Sequence, residues 1–436
     1  MNFRLTLMRR SYFFAACLLI CFGVWRWAER ILIPANTSAA QAKGIPIGNN
    51  SDLYPRWLGA RELLLYHRDP YSPEVTRDIQ RGFYGREIDL RNPDDPRDQA
   101  AFAYPVFVVF FVAPFLKIPF VTVQAIFGRL LLLGIAATVP AWMYAVGLRT
   151  KSLWVLSFMV LAIGTYPSVL EFHMQNLAAL VVVFLAFSAA AAACNWFSLS
   201  GFLLALATIK PQLSALFVFC FLVWVAGLWP QRKRLALSFA VTLSVLVIAG
   251  EIILPNWISK FFGAIQAYRS YTNDPSILQF AFGATFSWVA VVTLCSALLV
   301  VAARYKKCSA GSTEFGWLLA SAATVTLAIL PVSVYNQVLL VPALMILWFQ
   351  IDEASGLLPR ALAKASFACL GWQWITAAML AICAFWFAPE TLRRLARVPV
   401  LTLIALPPLV LLAVAAGIIS RQITRTIPQS PAAPRE

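Results

Sequence analysis

Along most of the chain, apolar residues run on without alternating with polar ones. The runs fall at about Ser11–Ile33 and at 103–118, 121–147, 152–169, 173–193, 198–229, 235–254, 277–303, 315–331, 335–350, 362–386 and 398–419. A helix needs about 20 apolar residues to cross a hydrocarbon layer of roughly 30 Å, and most of these runs approach or exceed that. In lipid only helices and closed barrels satisfy every backbone N–H and C=O. Barrel strands alternate apolar and polar positions, which these runs do not. The pattern predicts an all-α polytopic membrane protein, one transmembrane domain of about 11 to 13 helices. The 198–229 run is long for one crossing and is broken by Lys210-Pro211, so it is either one kinked span or two short ones.

One long polar segment interrupts the pattern, from about Pro34 to Ala103. Its local signals are helical. Ser51-Asp52 can cap a helix running to about Tyr66, and Asp69-Pro70-Tyr71 reads as a turn. Ser72 with Pro73 starts a second helix, which Gly82 and Gly85 end. Val75, Ile79 and Phe83 form an apolar stripe on that helix and predict that it lies at the membrane surface. Residues 255–276 form a second, smaller polar loop, and 426–436 a short polar tail.

Composition agrees with the pattern. Of 436 residues 61% are hydrophobic and 12% charged, with mean hydropathy +0.75. A soluble domain could not cover that much apolar surface. The net charge of +16 sits largely in short segments between apolar runs, where Lys and Arg mark cytoplasmic loops, so no nucleic-acid partner is expected. Arg4, Arg9 and Arg10 precede the first run, which is read as an uncleaved span leading outward. If 198–229 crosses once, Arg232 to Arg234, Arg304 to Lys307, Arg360 to Lys364 and Arg421 to Arg425 share the cytoplasmic side. Arg149, Lys151, Arg393, Arg394 and Arg397 then fall outside. The eight cysteines form no C-x-x-C pair and there are only two histidines, so neither a metal nor a cofactor is expected.

Candidate chemistry gathers in a few places. The 34–103 loop holds ten of the nineteen acids. Asp52 could accept a proton as a general base, or only cap a helix. Arg56, Arg61 and Arg68 could bind phosphate, or be solvated partners of Glu62 and Asp69. Lys210 is a lone cation in an apolar run, placed to hold a phosphate or to snorkel to an interface. Gln175-Asn176, beside Glu171 and His173, and Tyr335-Asn336-Gln337 place amides at span starts, where they could face hydroxyls. Glu251 near a span end is similar. No P-loop, G-x-S-x-G, H-E-x-x-H or G-x-G-x-x-G context occurs.

In order along the chain these pieces resemble glycosyltransferase family 87, within the GT-C superfamily. Ser51-Asp52-Leu53-Tyr54, leading to Leu64 through Tyr71, is similar to the family's "D…Y…G-x-x-P-Y" stretch. Phe102-Ala103-Tyr104-Pro105 with Pro114 is similar to "F-x-Y-P-P…P-L", with Val106 for the second proline. Gln175-Asn176 is similar to "G-Q-x-N", with Met174 for glycine. Gly201 through Lys210-Pro211 resembles "G-x-x-x-A-x-A…K-P", and Pro331 to Leu340 the late "P-x-S" segment. Asn336 or Gln337 stands where some members carry histidine. The resemblance spans roughly residues 50 to 345. It implies inverting transfer of mannose or another hexose from a polyprenyl-phosphate donor to an extracytoplasmic lipid or glycan acceptor. It also implies Asp52 as base, Lys210 on the donor phosphate, and Arg56, Tyr104, Gln175, Asn176 and Asn336 lining the site. The alternative function from the residues is a multi-span transporter or flippase.

Overall fold

A computed structural model describes residues 2–42, 48–272, 274–350 and 356–426 of the protein. Among these residues every element is helical, with no strand, and the chain is built as an integral multi-pass membrane protein. Five helices are long and apolar enough to cross a membrane, or six if a bent pair counts as one span. Seven shorter apolar helices accompany them.

Helix α1 (Asn2–Trp27) passes through a π-helical turn at Ala28–Leu32 into α2 (Ile33–Ala42). The first ten residues from Ile33, at the start of the polar segment, are thus still helical. A π-turn is one way a helix absorbs such a disruption without ending. Helices α3 (Tyr54–Tyr66) and α4 (Pro73–Tyr84) follow, then short turns around α5 (Val109–Val112). Ser72 caps α4 as expected, accepting a hydrogen bond from the Val75 amide at 3.2 Å. The stripe of α4 is buried, however, within the cluster that holds Tyr54 and Trp57 of α3. This stripe packs on protein. An apolar stripe calls for an apolar neighbour, and α3 supplies it.

The chain then runs through α6 (Phe120–Ala145), α7 (Ser152–Ile163), α8 (Tyr166–Met174), α9 (Ala178–Ala193), α10 (Phe197–Leu206) and α11 (Pro211–Gly227). Next come α12 (Trp229–Ile253), α13 (Trp257–Thr272), α14 (Ile277–Tyr305) and α15 (Thr313–Ile329). It closes with α16 (Val341–Gln350), α17 (Leu357–Cys383), α18 (Pro389–Leu392) and α19 (Leu406–Thr426). The tail beyond Thr426 lies outside the described residues.

Contacts between loops define two ends of the bundle. Arg232 donates to the carbonyls of Trp224 (2.6 Å), Lys306 (2.7 Å) and Cys308 (2.6 Å). The Gly311 amide donates to the Ala145 carbonyl at 3.0 Å, and Arg421 reaches Gln350 at 3.0 Å. These bonds gather the basic loops at one end. They also bring Arg149 and Lys151 there, four and six residues past Ala145, correcting their expected place on the other side. Arg397 lies at the opposite end, 3.2 Å from Asn36, as expected.

The 198–229 run does not cross once. Ser188 bonds Ser200, so α9 and α10 form a hairpin whose turn lies near Asn195. Phe197 and Trp224 sit 6.3 Å apart between ring centroids, so α11 returns to the end from which α10 started. Lys210 breaks the helix at the tip, with φ −130° and ψ 78°. Gly201 allows the hairpin to approach α12. A Cβ there would lie 2.1 Å from the Leu235 carbonyl oxygen.

Candidate functional site

The tip of that hairpin meets three other chain segments. Helix α8 ends at Gln175, which adopts the left-handed conformation (φ 48°), rarely favoured outside glycine. This turn releases Asn176 from the helix. Its side chain donates to Asp52 Oδ2 at 2.6 Å and accepts from Lys210 Nζ at 3.0 Å. Asn176 Oδ1 also accepts from the Ala178 amide at 2.8 Å, which holds it at the start of α9. Lys210 Nζ donates in addition to Asn336 Oδ1 at 3.3 Å and lies 4.9 Å from the centre of the Tyr335 ring. One unbroken chain of polar contacts thus runs Asp52–Asn176–Lys210–Asn336.

Asp52 is fixed by its backbone. Its amide donates to the Met174 carbonyl at 2.7 Å, and the neighbouring Ser51 hydroxyl lies 2.7 Å from Gln175 Oε1. The capping alternative fails here. Leu53, not Asp52, is the N-cap of α3, and no side chain caps that helix. The Asp52 carboxylate instead faces Asn176.

Arg56 donates to the Asp52 carbonyl at 2.7 Å and stacks 4.2 Å over the Tyr104 ring. Tyr104 is held in turn by the Tyr71 hydroxyl, which donates to its carbonyl at 2.6 Å. Gln175, Asn176, Lys210, Asn336 and Tyr104 are all buried. The structure therefore brings together each residue singled out for the site. Arg68 belongs elsewhere, bonding Glu62 (2.6 Å) and Asp78 (2.8 Å). Asp69 pairs with Lys260 at 2.8 Å, not with an arginine. Arg61 lies over Trp57 and Tyr66, Glu251 accepts from the Asn256 amide, and Gln337 turns away to donate to the Leu403 carbonyl.

Two features were given no role in the site from the sequence. Glu171 is fully buried on α8, within electrostatic range of Lys210 and Asp52, and neither carboxylate oxygen has a hydrogen-bond partner of normal geometry. Its place between two apolar runs, just before the Gln175-Asn176 pair, was the available signal. The second feature is the mouth of the site. Asp98 lies in electrostatic range of Arg56, Asp52 and Asp274, and the surrounding protein pushes its carboxyl up from its ordinary value. Tyr268 of α13, also near Asp98, has its phenol pushed up to about 12 by the same crowding.

Further out, Arg86 grips Asp95 with two bonds, of 2.8 and 2.5 Å. That hydrogen bonding, with help from the Asp89 amide, lowers the Asp95 carboxyl to about 2. A depressed carboxylate stabilises the fold above its unfolded pKa of about 3.9, and that contribution is lost as pH falls through the folded value. Amide protection of the 86–95 loop should therefore stay level from pH 7 to about 4 and fall between about 4 and 2. Hydrogen exchange across that range measures it.

Between α1, α6, α7, α16, α17 and α19 lies an apolar cavity of about 230 Å³, lined by Phe13, Phe158, Trp348 and Phe367 among others. Gln337 lines it while the adjacent Asn336 contacts Lys210, so cavity and polar chain share one segment. Comparison with family models, curated proteins and solved structures finds no match to this chain.

Proposed function

We propose that the protein is a membrane glycosyltransferase of the family 87 type, with a GT-C-like bundle in which the shorter apolar helices also count as spans. It moves mannose or another hexose from a polyprenyl-phosphate donor to a lipid or glycan acceptor, without a cofactor. The observation that carries this reading is the Asp52–Asn176–Lys210–Asn336 chain, which sets a carboxylate and a buried cation on either side of one amide. That is the pairing a direct displacement needs: a base for the incoming hydroxyl and a cation for the departing phosphate.

In the proposed reaction an acceptor oxygen attacks the anomeric carbon as the bond from that carbon to the phosphate oxygen breaks. The hydroxyl proton passes to Asp52. Polyprenyl phosphate leaves with the bonding electrons, and Lys210 with Arg56 stabilises its negative charge. Inversion at the anomeric carbon follows from a single displacement. Asn176 holds base and cation at a fixed separation, which favours one attack geometry. The apolar cavity beside Gln337 supports a lipid-linked donor, since an isoprenoid chain needs such a lining.

The reading places the site on the extracytoplasmic face of a bacterial plasma membrane, because the basic loops gather at the other end. In a cysteine-depleted background, Asp89→Cys should react with a membrane-impermeant reagent on intact cells and Lys306→Cys should not. The reverse pattern would turn the molecule over.

A flippase or transporter is the second reading. The buried Lys210 and Glu171, with the helix broken at Lys210, are features such proteins share. Vesicles containing the purified protein and labelled polyprenyl-phosphate mannose separate the two. The transferase consumes donor and yields a mannosylated acceptor, whereas a flippase moves the donor between leaflets chemically intact.

A further inference from the structure

Helix α13 does not pack into the bundle along its length. Its first half is pinned to the outer segment: Lys260 pairs with Asp69 at 2.8 Å, and the Trp257 ring lies 5.7 Å from that of Phe107. Its second half carries Tyr268 and Tyr271, whose rings meet edge to face at 5.4 Å. Both lie in electrostatic range of Asp98 and Arg56, and Tyr268 also of Asp52. Just after the helix the Val332 amide donates to the Pro275 carbonyl at 3.1 Å, which ties α13 to the segment bearing Tyr335 and Asn336. The two tyrosines therefore stand over the mouth of the polar chain.

This mouth is aromatic, acidic and open. Tyr268 is 36% exposed, and Asp98 is exposed despite the protein around it. Yet the Tyr271 hydroxyl is shielded from solvent without a hydrogen-bond partner. A shielded hydroxyl left unpaired calls for an explanation, and a ligand hydroxyl is one. Aromatic rings beside a few aimed polar groups also fit a flat ligand with one apolar face and a polar rim. A pyranose has that character: its axial C–H groups lie against a ring while its equatorial hydroxyls reach a carboxylate and a phenol.

We propose that Tyr268, Tyr271 and Asp98 form a carbohydrate subsite at the mouth, taking a pyranose of the acceptor. Tyr268 supplies the ring surface, and Asp98 and the Tyr271 hydroxyl bind sugar hydroxyls. The subsite lies within electrostatic range of Asp52, and in this reading the acceptor enters past α13 and the donor from the membrane. The inference rests on the transfer reaction only in calling this sugar the acceptor.

The test is saturation-transfer NMR on the purified full-length protein in detergent, without donor, using methyl α-mannopyranoside, methyl α-glucopyranoside and methyl α-galactopyranoside. At least one should receive saturation from the wild-type protein. Tyr268→Ala should weaken its binding about three- to ten-fold, the scale of one aromatic contact, while Tyr268→Phe keeps it. Asp98→Asn should weaken it as well. Absence of binding to the wild-type protein, or equal binding by Tyr268→Ala, Asp98→Asn and wild type, overturns the subsite. Donor turnover is measured separately: turnover without sugar binding refutes the subsite alone, and sugar binding without turnover refutes the transferase alone.

Discussion

Asp52→Asn is expected to leave the protein folded and inserted while slowing sugar transfer roughly 100-fold or more, the scale of losing a general base. The expectation is sharp because asparagine preserves almost everything else at this position. Asp52 accepts one hydrogen bond from Asn176, and an asparagine oxygen can accept the same bond. The bonds that fix the backbone, from the Asp52 amide to Met174 and from Arg56 to the Asp52 carbonyl, do not involve the side chain. Helix α3 starts from Leu53 without a side-chain cap, so no cap is lost. What the variant lacks is the ability to take a proton. Expression, melting behaviour in detergent and donor binding should match wild type. Transfer at near wild-type rate would remove Asp52 from the chemistry.

Lys210→Met is the second large effect. Methionine has similar length and suits the apolar surroundings, so packing changes little. The loss is a buried cation that donates to Asn176 and Asn336. If that cation meets donor phosphate, the lost charge-assisted bond is worth about 1.5–3 kcal/mol, roughly 10- to 150-fold in donor affinity. The fold should tolerate the change better, because both partners are neutral amides and no carboxylate loses a direct ion pair. Glu171 adds a consequence. Removing the cation leaves an unpaired buried acid facing apolar surroundings, so Glu171→Gln should recover part of any stability lost in Lys210→Met. Titration with labelled donor, beside thermal melting of the single and double variants, separates binding from folding. Unchanged donor affinity would exclude Lys210 from the phosphate site.

Much of this was legible in the sequence where the signal is local. Ser72 before Pro73 marks a helix start because capping depends on neighbours three residues apart, and the structure places it so. Lys210-Pro211 marks a break because proline removes a backbone donor wherever it occurs. Asp52 stood out in the acid-rich loop, Lys210 as a lone cation inside an apolar run, and Asn176 and Asn336 as amides at span starts. Their meeting did not. Asp52 and Asn176 are 124 residues apart, and they touch because Gln175 takes a left-handed turn that nothing in Met174-Gln175-Asn176 announces. The return of α11 was hidden for a related reason: hydropathy along 198–229 is the same for one crossing and for a hairpin. The stripe of α4 named an apolar neighbour without saying whether it was lipid or protein. Tyr268 and Tyr271 carry no local signal of their own, and only the pinning of α13 by Lys260 brings them to the site.

The central claim is that the polar chain ending at Lys210 breaks a bond between a sugar and a polyprenyl phosphate. The most direct measurement incubates purified protein with polyprenyl phosphates carrying labelled mannose or another hexose, together with a membrane-lipid extract as acceptor source. The account predicts that label leaves the donor, appears on an acceptor with inverted anomeric configuration, and releases an equal amount of polyprenyl phosphate, all suppressed in Asp52→Asn. Label that remains on intact donor with every sugar offered, or that leaves it equally fast in Asp52→Asn, would contradict the claim.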